Sequence, residues 1–266
     1  MSAKIFPQLI MILFFVLNCS SLSPKEKEVN FYARKTYEKI KAEGKISHRR
    51  DWNRLLNKVA TQVTKASGEK FDWEWILIEN QEPNAWCMPG GKMAVYTGIM
   101  PILKNEAALA AVLAHEVAHA TKKHGMQRYA RAIKGQLLGV VIGAATAIGG
   151  QVWCKTESCK MISGLGGAAA GFAITFFERK FSRQEESESD YVGQEYMARA
   201  GYDPSEAVRL WERMGGGAQE GGRIPEFLST HPSDRVRIRE LKKALPRAQK
   251  TYSSSPVKFG LGEKIE

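Results

Sequence analysis

His115-Glu116-Val117-Ala118-His119 is the stretch on which the reading of this chain turns. On a helix, positions four apart lie only about 40° out of alignment. His115 and His119 therefore point the same way and can hold one zinc ion, with Glu116 placed to reach a water on that ion and take its proton. The alternative is a charged helix with two incidental histidines. The flanks argue against it: Leu109, Val112, Leu113 and Ala118 make the helix at least half buried, and a buried His-Glu-His group without a job is costly.

A catalytic zinc needs a third protein ligand and an open position. His124 is one candidate, but long zinc motifs place a Gly three residues after the second His and a third His six after. Lys122 and Gly125 stand there instead. On an unbroken helix His124 would lie about 140° from His119, so it reads as structural. The acidic run Glu185-Glu186-Ser187-Glu188-Ser189-Asp190 offers better. Glu186 and Asp190, four apart, share a helix face. Glu186 can be the third ligand and Asp190 can accept from the outer nitrogen of a ligand His. Glu185 and Glu188 are rivals, though neither has an acid four residues later. A solvated acidic face is the ordinary meaning of such a run.

Working outward, residues 50–66 repeat apolar positions at helical spacing and residues 71–78 alternate as a strand. Pro83, Pro89, Gly90 and Gly91 mark turns, and residues 92–97 form a second short strand. The zinc-motif helix starts near Lys104 or Asn105. Helices are expected over 179–200, from Asp203-Pro204 to Met214, and over 233–245, with a glycine loop at 215–222. Two Gly/Ala-rich apolar stretches, 135–153 and 161–177, read as buried or lid-forming helices, with a membrane hairpin as the alternative. Cys87 reads as a small buried hydrophobe, and Cys154 and Cys159 could close a short loop.

The 266 residues, 44% hydrophobic and 25% charged, exclude a mostly disordered chain, and four cysteines are too few for a disulfide scaffold. The net charge of +11 is compatible with anionic surfaces. The cations are dispersed, however, and no nucleic-acid motif appears. Residues 1–24 carry one charge, Lys4, and an apolar run that ends in Asn18-Cys19-Ser20. This resembles a bacterial lipoprotein signal, which implies lipid attachment to Cys19 and a periplasmic, membrane-anchored protein. The expected organisation is a signal at 1–18, a solvated tether and leading helix at 19–49, a catalytic domain at 50–247 and a flexible tail at 248–266.

Four blocks, in order, resemble the HtpX-like and CAAX-prenyl-protease-type zinc metallopeptidases, or minigluzincins. They are Asn84 to Gly98, His115 to His119 with His124-Gly125, Ser182-Arg183 with Glu186 to Asp190, and Ser229-Thr230-His231-Pro232-Ser233-Asp234-Arg235. They span about residues 50–245. Ser189 departs from the family's usual Ala. The resemblance implies an α+β, predominantly helical zincin domain with a small sheet beside the zinc helix. It implies one zinc per chain on His115, His119 and Glu186, with Glu116 as base, Asp190 behind a ligand and His231 supporting the oxyanion. It places the strand with Gly91, Lys92, Met93, Ala94 and Val95 at the active-site edge, where an extended peptide can add. The implied activity is endopeptidase cleavage of unfolded envelope proteins. A latent, chaperone-like zinc protein is the competing class. The sequence leaves the oligomeric state open, homo-oligomers included.

Overall fold

The computed structural model describes residues 25–132, 180–217, 231 and 235–265. The signal region with Cys19, the stretches 135–153 and 161–177, Cys154, Cys159 and most of the glycine loop lie outside the described residues. No helix among the described residues is long and apolar enough to cross a membrane.

The zinc-motif helix is the centre of the fold. Seven helices are described here as α1 (Glu26–Glu43), α2 (Arg50–Ser67), α3 (Met100–Leu103), α4 (Glu106–Thr121), α5 (Arg183–Arg199), α6 (Ser205–Gly217) and α7 (Arg235–Ser254). Helix α4 carries the motif and is buried from Glu106 to Ala120. A helix apolar on every side must be surrounded. Leu55, Leu56, Val59 and Val63 of α2 and Met197, Leu210 and Trp211 of α5 and α6 join its side chains in the main core. Its small residues let neighbours approach. A Cβ at Gly193 of α5 would sit 2.9 Å from the backbone nitrogen of His115, so the two site-bearing helices touch through a glycine.

Three strands, β1 (Glu74–Ile78), β2 (Ala85–Met88) and β3 (Lys92–Tyr96), form a sheet in the order β1-β3-β2. β3 runs parallel to β1 and antiparallel to β2, with Trp86 opposite Ala94. Gly91 N–H donates to Met88 O across a turn with Pro89 second and Gly90 third at φ 84°, the dihedral a type II turn asks of glycine. The predominantly helical α+β class is the one expected. The strand at 85–88, between two prolines that mark turns, is an element the sequence reading does not assign.

Both ends of the described chain depart from expectation. The leading helix is not a solvated tether: Val29, Ala33 and Tyr37 of α1 pack with Ile76, Ile78, Trp86, Met88, Ala94 and Tyr129. Its Lys and Glu occupy the outer face while the i, i+4, i+8 stripe is buried. Nor are residues 248–265 a flexible tail. Helix α7 runs through Pro246 to Ser254 because Ala248 is buried and Thr251 Oγ1 donates to Glu195 of α5 at 2.8 Å. Beyond it the chain returns to the start of α4. Glu106 N–H and Ala107 N–H donate to the carbonyls of Glu263 (2.8 Å) and Leu261 (3.0 Å), and Asn105 Oδ1 accepts from Ala108 N–H at 2.8 Å. Three donors that a helix start leaves open are thus satisfied, two of them from 157 and 154 residues away in sequence.

Candidate metal centre

The two motif histidines lie on the buried side of α4 with their Nε2 atoms 3.0 Å apart. Helix α5 brings in Glu186, whose Oε2 is 3.4 Å from His115 Nε2 and whose Oε1 is 3.5 Å from His119 Nε2. The start of α5 is fixed by a capping box in which Ser182 Oγ accepts from Glu185 N–H and the Glu185 carboxylate accepts from Ser182 N–H. Glu185 is thereby spent on the cap and on Arg131, 2.6 Å away. Glu188 faces His124 and Lys122. Of the three candidate acids, Glu186 alone has its carboxylate among the motif histidines.

Asp190, one turn on, stands behind the centre with Oδ1 3.0 Å from His115 Nδ1. Arg237 of α7 donates to both its oxygens at 2.6 Å, lies 2.7 Å from Glu186 Oε2, and donates to the His231 carbonyl at 3.3 Å. Its guanidinium lies over the Trp211 ring, 3.9 Å from the centroid. Sequence reasoning missed Arg237. The fourth block stopped at Arg235, and the two arginines differ only in which helix face they occupy.

His231, expected to support the oxyanion, stands at the same cluster. Its ring lies among the donors, with Nδ1 3.0 Å from Glu186 Oε1 and 3.3 Å from His115 Nε2. One atom each from His115, His119, Glu186 and His231 fall within 4.8 Å of one another, and all four residues are buried. Phe181 covers the group, its ring centroid 3.9 Å from that of His119. Glu116 sits beside it. Its Oε2 accepts from Cys87 N–H at 3.1 Å. Its Oε1 is buried, lies 3.4 Å from His231 Nε2 and takes no hydrogen bond among the described residues.

The substrate strand needs correction. β3, with Lys92, Met93, Ala94 and Val95, is the middle strand, and both its edges are already paired. No peptide can add there. Gly91 belongs to the turn, and the Lys92 ammonium is turned away to Asp72 and Glu74 at 3.0 and 3.4 Å. The edge that meets Glu116 is β2, through Cys87. That order is a long-range pairing, which local periodicity does not encode.

Electrostatics follow from burial. Burial raises the Glu116 carboxyl, with His231 and His115 opposing. Burial also works against charge on Glu186, yet His231, His115 and His119 hold its carboxyl well below the usual range. His115 is pulled down by burial, but Asp190 and Glu186 outweigh this and lift it to about 9. Burial keeps His119 well below the ordinary imidazole range.

These donors fit zinc. With the outer Nδ1 of His115 facing Asp190, the lone pair of that imidazole is directed inward at Nε2. Two Nε2 atoms 3.0 Å apart converge with an ionised carboxylate whose Oε2 is met by Arg237 at 2.7 Å and whose Oε1 is left to the imidazoles. A cation resolves the conflict, and two imidazoles with one carboxylate form a known catalytic zinc set.

Comparison with known proteins points the same way. Residues 47–245 match the model for peptidase family M48, whose members use zinc. The chain is 36% identical over 196 residues to the mitochondrial metalloendopeptidase OMA1 of Schizosaccharomyces pombe, covering 73% of this chain and 53% of that one. It is 34% identical over 189 residues to its Saccharomyces cerevisiae counterpart (69% and 50%). It is 29% identical over 180 residues to the beta-barrel assembly-enhancing protease of Escherichia coli (68% and 36%). The chain thus spans about half, or less, of the length of these relatives. With a match over that much of its length, the chain belongs to peptidase family M48.

Proposed function

We propose that the protein is a zinc-dependent endopeptidase that cleaves unfolded or misfolded polypeptides of the bacterial envelope. The observation that carries this is Glu116, a buried carboxylate beside four converging donors, with one oxygen fixed by β2 and the other without a hydrogen bond among the described residues. His115, His119 and Glu186 hold the metal. Zinc supplies the Lewis acidity that lowers the pKa of water and polarises a carbonyl. Glu116 takes the proton of the attacking water at Oε1 and later delivers it to the departing amine nitrogen. Its raised pKa suits a group that must both accept and release a proton. Asp190, clamped by Arg237, keeps His115 Nε2 directed inward.

The outer edge of β2, a strand whose residues are buried in this structure, is the edge assigned to the substrate main chain. Tyr96 N–H donates to Asn84 O, so residues 84, 86 and 88 face β3 while Ala85 and Cys87 face outward. An extended peptide pairing there lies along Glu116. Main-chain recognition favours unfolded chains, since only these supply extended segments. The relatives, by name a metalloendopeptidase and an assembly-enhancing protease, support a role in quality control. The apolar leader and Cys19 support a periplasmic lipoprotein, within the HtpX-like group.

The place of His231 favours a second reading, a latent centre. With His231 as fourth donor the position for substrate is filled, whereas catalysis keeps it open. The test is cleavage of an unfolded model protein by the zinc-loaded chain. Wild type is expected to cleave and Glu116→Gln to be slower by about a hundredfold to ten-thousandfold. Equal rates would overturn the reading. His231→Ala separates the two roles: slower cleavage supports the oxyanion role, faster cleavage supports latency.

A further inference from the structure

The outer nitrogens of the two ligand imidazoles are held in different ways. His115 Nδ1 meets the Asp190 carboxylate directly at 3.0 Å. His119 Nδ1 meets no carboxylate among the described residues. It lies 3.0 Å from Nδ1 of His124, whose Nε2 lies 3.3 Å from Glu188 Oε2. We propose that His124 is the positioning residue of the ligand His119, a hydrogen-bond relay to Glu188 that fixes the tautomer leaving His119 Nε2 free for zinc.

Proton counting gives one arrangement. For His119 to offer a lone pair at Nε2, its Nδ1 must carry the hydrogen. That N–H points at His124 Nδ1, which must then accept. The single hydrogen of neutral His124 is left on Nε2, where it donates to Glu188. Moving either hydrogen puts two lone pairs or two hydrogens between nitrogens 3.0 Å apart. Ser189 Oγ, 3.2 Å from His124 Nδ1, adds a hydroxyl on the same side.

The backbone is bent to make this contact. Helix α4 stops at Thr121, and Lys123 takes the left-handed conformation at φ 59°, which a lysine rarely adopts. That break removes the displacement of about 140° expected on a continuous helix and brings His124 under His119. The ring is 1% exposed, while Glu188 is half-exposed and shared with Lys122 at 3.5 Å. One ligand therefore leans on a buried, arginine-clamped carboxylate, and the other reaches a surface carboxylate through an intervening imidazole. Outer partners of this kind are commonly worth ten- to hundredfold in metal affinity.

The inference rests on His119 being a ligand, so the test compares variants with wild type. Zinc affinity is measured by chelator competition at fixed pH on the full chain, with the visible spectrum of the cobalt-loaded protein and the melting temperature alongside. His124→Phe keeps ring volume and removes the acceptor; it is expected to bind zinc about ten- to hundredfold more weakly and to shift the cobalt bands. His124→Gln, whose amide oxygen can accept, is expected to recover most of that loss. Glu188→Gln, still an acceptor, is expected to stay within about threefold. Wild-type affinity and spectrum in His124→Phe would overturn the proposal. If that variant does not fold, His124→Ala against His124→Gln decides: weaker binding in Ala alone supports the relay, and equal binding in both overturns it. A wild-type chain that binds no zinc would sink the metal reading itself, a different failure.

Discussion

Helix α4 begins on one buried glutamate and carries a second within its metal motif, and the two are treated in opposite ways. Glu106, at the start, is 0% exposed and fully engaged. It accepts from Tyr202 Oη–H at 2.7 Å, from Lys58 Nζ at 3.0 Å and from Glu263 N–H at 3.1 Å. Gly262 closes over it at φ 65°, where a Cβ would lie 2.5 Å from that of Glu106. Glu116, three turns on, is 2% exposed, yet one of its oxygens takes no hydrogen bond among the described residues. The first carboxylate is satisfied and stabilises the fold. The second is kept short of partners beside a cluster of metal donors. Burial alone therefore does not identify a functional acid; burial with an unfilled bonding capacity does.

The sharpest way to break this contrast is to exchange the acids for neutral residues in turn. Glu116→Gln should lower cleavage by about a hundredfold to ten-thousandfold and leave stability within about 1 kcal/mol. Glu106→Ala should do the reverse. It strands the Tyr202 hydroxyl and part of the Lys58 charge, so thermal unfolding should show a loss of about 3 kcal/mol, or about 10 °C. Zinc content of the folded variant should be unchanged. Loss of stability in the first variant, or loss of zinc in the second, would erase the distinction between the two glutamates.

A smaller effect is expected where α4 meets α5 at His115. A methyl at Gly193 would press on the His115 nitrogen at 2.9 Å, so Gly193→Ala should cost about 1–3 kcal/mol and weaken zinc binding as well. Weaker still is a pH effect. In the metal-free protein His115 is raised to about 9, above its ordinary 6.5. Its contribution to stability is fully present below about 6.5 and lost as pH rises through about 9. Zinc must displace that proton, so chelator titrations should show affinity rising by about tenfold per pH unit up to about 9 and flattening above. An affinity flat from pH 6.5 to 9 would place the proton elsewhere.

Much of the centre was legible because it is local. The His-Glu-x-x-His spacing and the Glu186-Asp190 spacing are statements about one helix face each. Helices α2, α4 and α5 carry apolar stripes or caps that any reader of the chain can find. What escaped is long-range. The middle position of β3 depends on which strands pair, and β2 is too short to show a period between Pro83 and Pro89. The segment after Pro246 reads as basic and Ser-rich, yet the carbonyls of Leu261 and Glu263 near its end are what the first N–H groups of α4 require. Arg237 could not be told from Arg235 until α7 was seen to turn one of them toward Asp190.

The most direct test of the whole account is zinc stoichiometry, measured by native mass spectrometry on wild type, His115→Ala, His119→Ala, Glu186→Gln and His231→Ala. The account predicts one zinc per chain in wild type, none in the two histidine ligand variants, strongly reduced occupancy in Glu186→Gln, and one retained in His231→Ala. Full occupancy without Glu186 together with loss of zinc without His231 would contradict it, and would hand the third ligand position to His231.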